Sequence, residues 1–155
     1  MRRATRAFTL VEILIVVVIL GILAAIVVPS FAEASEESKR TVFATDLRQF
    51  VEAAILYENM EGEPVPDLSS GTTNETWSQY ADPDVWTSPT AIGGVWDAEL
   101  NSFGVRSAIG VHFNGTGSDR DDDYMILIDA MIDDNNLETG GFRRLGDGRY
   151  YSIFN

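Results

Sequence analysis

"RAFTLVEILIVVVILGILAAIVVPSF", Arg6 to Phe31, holds one carboxylate, Glu12, in an otherwise unbroken run of hydrocarbon. From Phe8 to Val28 there are 21 residues, and Glu12 is the only charged one. About 20 apolar residues cross the hydrocarbon of a bilayer as a helix. Arg2, Arg3 and Arg6 precede the run and no basic residue follows it closely, which places the N-terminus in the cytoplasm and the remainder across the membrane. A secretory signal peptide shares the basic start and the apolar stretch. This run is longer than such a peptide needs, and "GILAAIVVPSFA" offers small residues without a clearly placed Ala-x-Ala site. An ionised carboxylate in lipid costs several kcal/mol unless a cation meets it, so Glu12 reads as functional. A cut between Ala7 and Phe8 would place a new ammonium four residues from Glu12, on the same helix face. The amine of a neighbouring copy would serve equally well, and Glu12 would then set the register of an assembly.

The 155 residues bound the chain to one domain beyond this segment, with room for one small core. Cysteine is absent, so neither disulfides nor thiolate metal sites contribute. Formal net charge is −13, and beyond the three leading arginines the rest carries −16. That balance excludes nucleic acid, whose phosphates reward clustered Lys and Arg. It suits solubility in water and cation binding.

Pro29 predicts a kink, since it lacks an N–H and crowds the preceding turn. Beyond it, Phe43, Leu47, Phe50, Ala54 and Tyr57 recur at helical spacing, with Val51 and Ile55 beside them, and form one face of an amphipathic helix. Gly62, Pro64 and Pro66 stop it. Residues 8–61 as one helix make a rod of roughly 80 Å. Residues 62–93 read as a loop-rich connection in which "ETWSQYADPDVW" hides a short helix pinned by Trp77, Tyr80 and Trp86. Gly93-Gly94 turns into a strand with Trp96 inward, and residues 105–113 form a second strand. "DRDDDYMILIDAMIDDNN" fits either a buried strand or a helix with Tyr124, Leu127, Ile128, Met131 and Ile132 on one face. Three preceding aspartates suit a helix N-terminus, and helix is the expectation. "FRRL" and "RYYSIF" flank "GDG" as a hairpin. The expected class is α+β: a long kinked N-terminal helix, its first half transmembrane, packed on a small antiparallel sheet.

The opening segment resembles the N-terminus of type IV prepilins and of type II secretion pseudopilins. The resemblance rests on the basic leader, Phe8, Thr9, Leu10, Glu12, the apolar run, Gly21-Ile22-Leu23 and Pro29. It implies a pilin-like fold with a leader at 1–7, a membrane and filament-core half at 8–28, an amphipathic half at 29–61 and a head at 62–155. It also implies a membrane-embedded prepilin peptidase that cuts between Ala7 and Phe8 and methylates the Phe8 amine. Glu12 would then pair with the Phe8 amine of an adjacent subunit, with Phe8, Glu12 and Pro29 the assembly residues. The family usually has Gly before the cut, where this chain has Ala7.

The implied function is a structural subunit of a secretion pseudopilus or pilus-like filament, with no enzymatic activity. Its partners would be further copies, other pilins or pseudopilins, the peptidase, membrane lipid and an inner-membrane assembly platform with its ATPase. Its place would be the bacterial inner membrane, single-pass, with the head periplasmic, and after assembly a periplasmic or surface filament. The alternative is a membrane-tethered periplasmic binding module that does not polymerise.

No catalytic constellation stands out. His112 is the lone histidine, flanked by Val111 and Phe113 in a predicted strand, and reads as structural. Two acidic clusters are present, Asp119 with Asp121 to Asp123, and Asp129 with Asp133 to Asn136 and Glu138. Calcium takes six to eight oxygen ligands from a flexible loop, and the second cluster can supply them although it fails the EF-hand template. Related major pseudopilins carry calcium in a C-terminal loop, which implies Asp133, Asp134 and Asn136 as ligands; apart from calcium no cofactor is expected. Asn74 and Asn114 match glycosylation acceptors by chance.

Overall fold

The computed structural model describes residues 8–68, 71–115 and 119–154. The chain divides into two compact units, Met1–Ser38 and Lys39–Asn155. Helix α1, Leu10–Glu61, contributes to both and contains Pro29. Its apolar residues before Pro29 are exposed on every side, among them Leu10 at 82%, Val18 at 51% and Val28 at 65%. A helix that is hydrophobic all round and uncovered by its own chain is built for lipid or for neighbouring helices.

The second unit holds the core. From Phe43 onward α1 buries Phe43, Ala44, Leu47, Phe50, Ala54 and Tyr57, the stripe that the helical spacing predicts. Ile55, expected beside it, is exposed, because the face is narrower than the count of apolar residues suggests. The Phe43 ring stacks on Trp96 at 5.1 Å, and Phe50 meets Trp86 and Trp96 edge-on. Such pairs add to simple burial when the quadrupoles are offset or crossed. Gly62, at φ +80°, ends the helix as its N–H returns to the Glu58 carbonyl.

The described parts of the connection to the sheet are held down at several points. Trp77–Gln79 forms one 3-10 turn, with the Asn74 side chain accepting from the Trp77 N–H. Helix α2, Pro83–Thr87, starts at Asp82, which accepts from the Asp84 and Val85 N–H groups. Trp77 and Trp86 are buried, and Tyr80 packs against Tyr57. Leu68 pairs with Ala98, and Pro89 with Val95, so the connection borders the first strand.

Strands β1, Val95–Leu100, β2, Ser107–His112, β3, Phe142–Gly146, and β4, Arg149–Phe154, form one antiparallel sheet in the order β1-β2-β4-β3. Trp96, Ile109, Val111, Phe142 and Tyr150 join the α1 stripe in one core.

The ambiguous "DRDDDYMILIDAMIDDNN" is a helix, α3, Asp122–Ile132, capped by the Asp121 carboxylate on the Tyr124 N–H at 2.9 Å. Its buried face differs from the expected one. Met125, Ile128 and Asp129 are buried while Leu127 is 50% exposed. A count of apolar residues passes over Asp129 and so rotates the predicted face away from the one that packs. Arg48 of α1 donates to the Met131 carbonyl, tying the last turn of α3 to the stem.

Candidate functional site

The N-terminal candidate is built on a Thr-x-x-Glu start. The Glu12 carboxylate accepts from the Thr9 backbone N–H and the Thr9 hydroxyl, each at 2.8 Å, and the Glu12 N–H donates to Thr9 Oγ1 at 3.2 Å. This reciprocal capping box satisfies donors that the first turn of any helix leaves open. Phe8 precedes it and is 78% exposed. Ala7 lies outside the described residues. Thr9 is legible in the sequence only as part of a motif, and its hold on Glu12 emerges only in the folded helix start.

The acidic candidate sits where α3 ends. Oxygens of Asp129, Asp133 and Asp134 lie within 4.8 Å of one another. Asp133 accepts from the Gly141 N–H, and Asp134 accepts from the Asn136 N–H at 3.0 Å and the Thr139 hydroxyl at 2.7 Å. Asn136 turns its side-chain oxygen to the Glu138 N–H at 3.1 Å. Of the three residues named from sequence, Asp133 and Asp134 therefore stand together, and Asp129 is their third carboxylate. Asp129 is wholly buried and neither of its oxygens makes a hydrogen bond of good geometry, the Asn136 N–H near it being turned to Asp134. Burial pushes its carboxyl above the usual range, and the charges of Asp134 and Asp133 add to this against the opposing pull of the nearby Asn136 N–H. Gly140, at φ +70°, closes the loop where a Cβ would run into Asp133 and lie 3.0 Å from the Asp134 carboxyl carbon. Hard oxygen donors, an orphaned buried carboxylate and a glycine that admits close approach fit a calcium ion.

The lone histidine sits at the end of β2 with its ring 3.9 Å from Asp97. Burial and the Arg149 charge lower its pKa below the ordinary value, so it stands neutral at pH 7. Beside it lies a network that the sequence did not reveal, in which Arg149 bridges Asp97 and Glu99 on the far face of the sheet.

A long N-terminal helix whose stretch from Phe43 to Tyr57 packs on a four-stranded antiparallel sheet, with a capped carboxylate at the helix start, defines an α+β pilin-like architecture. Residues 2–28 match the family model described as the prokaryotic N-terminal methylation motif. Over 57 residues the chain is 46% identical to the type II secretion system core protein G of Pseudomonas aeruginosa, covering 37% of this chain and 40% of that protein. The chain thus spans less than half the length of that relative. No solved structure matches. The motif and the likeness, each confined to part of the chain, make its N-terminal portion similar to type IV prepilins and pseudopilins, and the apolar helix supports membrane anchoring.

Proposed function

We propose that this chain is a structural subunit of a type II secretion pseudopilus or a type IV pilus-like filament. The observation that carries the reading is Glu12, a single carboxylate at the start of an exposed, all-round apolar helix that also bears the methylation motif. In this reading prepilin peptidase removes residues 1–7 by cutting between Ala7 and Phe8, and the Phe8 amine is methylated. Residues 8–28 hold the subunit in the inner membrane with its N-terminus cytoplasmic. Residues 29–61, beginning at Pro29, lead into the periplasmic head, 62–155. Moving such a hydrophobic length out of lipid is not spontaneous, so an ATP-driven platform extracts it. Each Glu12 then meets the Phe8 amine of the adjacent subunit, and helix packing with other copies and related pilins completes the filament.

Calcium belongs to the same reading. Asp129, Asp133 and Asp134 would hold it, and its charge would neutralise the buried Asp129 and join the end of α3 to the loop before β3.

Intact mass and N-terminal sequencing of the protein from its own cells test the proposal. A chain beginning at N-methyl-Phe8 supports it. A chain that retains Met1 to Ala7 points to a tethered module, and one that begins after the apolar run is a cleaved signal peptide and overturns the role of Glu12.

A further inference from the structure

We infer that Thr9 is a positioning residue: it holds the Glu12 carboxylate within its own chain while the subunit resides in lipid, and releases it to the neighbouring amine on assembly. The inference rests on the filament reading above and adds a partner exchange to it. A carboxylate in hydrocarbon must be solvated by something, and here the backbone N–H and hydroxyl of Thr9 do so at 2.8 Å each. Every atom of this box lies beyond the Ala7–Phe8 bond, so removal of the leader deletes none of its groups. Around it Leu10, Val11, Ile13 and Leu14 are exposed hydrocarbon, and among the described residues Thr9 is the polar side chain bonded to the carboxylate. The Thr9 hydroxyl both donates to Glu12 and accepts from its N–H, so the carboxylate is held at the first turn instead of swinging along the helix. An ammonium brought alongside by an adjacent subunit offers a charge-assisted bond, stronger than a neutral hydroxyl can make. Exchange of Thr9 for that ammonium costs the subunit little and rewards only the correct register.

The test uses the full chain, isotope-labelled at Glu12, in phospholipid vesicles and in assembled filaments. In vesicles, Thr9→Val moves the infrared carboxylate band of Glu12 and Thr9→Ser leaves it in place. In filaments, Thr9→Val leaves the band where it stands in the unsubstituted chain, because Glu12 has changed partner. At equal membrane level, Thr9→Val lowers filament yield several-fold and Thr9→Ser restores it. A helix cap with no hold on Glu12 would not move the band, so an unmoved band in vesicles overturns the inference. An equal shift in both states overturns the exchange. Glu12→Leu separates this outcome from failure of the filament reading: if that variant still assembles, the role of Glu12 in assembly falls whatever the vesicle spectra show.

Discussion

The Tyr151 phenol donates a 2.6 Å hydrogen bond to Asp97 on the sheet face opposite α1, and both groups are buried. Arg149 reaches Asp97 at 3.1 Å, Glu99, and the Tyr151 oxygen at 3.1 Å. The Phe103 ring lies 5.4 Å from its guanidinium carbon. Burial, followed by the Asp97 charge, raises the Tyr151 pKa far above the ordinary phenol value, so the hydroxyl remains a donor. Two buried carboxylates share one arginine here, which makes the network sensitive to charge.

Glu99 carries the pH dependence of this network. Burial and then the Asp97 charge raise its folded pKa above the ordinary 4.5. The folded state therefore holds the proton more tightly, and the resulting stability is complete below the ordinary value and lost as pH rises through the folded one. Urea unfolding from acid to neutral pH should show Glu99→Gln gaining on the unsubstituted chain as pH rises. A constant difference across the range would contradict this.

Gly110 is required by the sheet and not by its backbone angles. A Cβ there would collide with the Tyr150 carbonyl oxygen and the Tyr151 Cα, and lie 2.8 Å from the Tyr150 carbonyl carbon. These atoms belong to backbone that cannot rotate away, so Gly110→Ala should cost about 3 kcal/mol as overpacking does. Denaturant melts of the two chains measure it.

Asp129→Asn removes a buried charge without changing its size. In chelator, the variant should melt above the unsubstituted chain, because an unpaired buried carboxylate has been neutralised. Calcium should raise the melting temperature of the unsubstituted chain, by about 2.7 kcal/mol of stability at a hundredfold excess over the dissociation constant, and leave the variant nearly unmoved. Calorimetry showing no calcium response in the unsubstituted chain would remove calcium from the proposal.

Phe43→Ala opens the centre of the head. Phe43 is fully buried and stacked on Trp96, so truncation should cost about 3–5 kcal/mol. The near-ultraviolet dichroism of Trp96 should change with it. An exposed control, Val42→Ala, should leave both measurements close to their starting values.

Much of the fold was legible because its signals are local. The apolar run, the stripe from Phe43 to Tyr57, the Gly62 stop and the "GDG" turn each act within a few residues of themselves. α3 was legible as a helix but not in its orientation, since its buried face includes Asp129 and a hydrophobic count discards that residue. Glu12 stood out by its cost in lipid, while its bond to Thr9 depends on the rotamers of a helix start. The outer network was the least legible part. Asp97 and Glu99 alternate with Trp96 and Ala98 as ordinary solvent-facing strand positions do, and their partner Arg149 is some fifty residues away in sequence.

By itself the sequence determined the class of the molecule: a hydrocarbon span whose one charge is a carboxylate, a helix stripe behind it and an acidic head. These are properties of composition and period, and the solvent acts on them directly. Tertiary structure alone decided which polar groups lose their water. It buried Asp129 beside Asp133 and Asp134, and set Asp97 and Glu99 on one arginine, because desolvation depends on which distant segments close over a side chain.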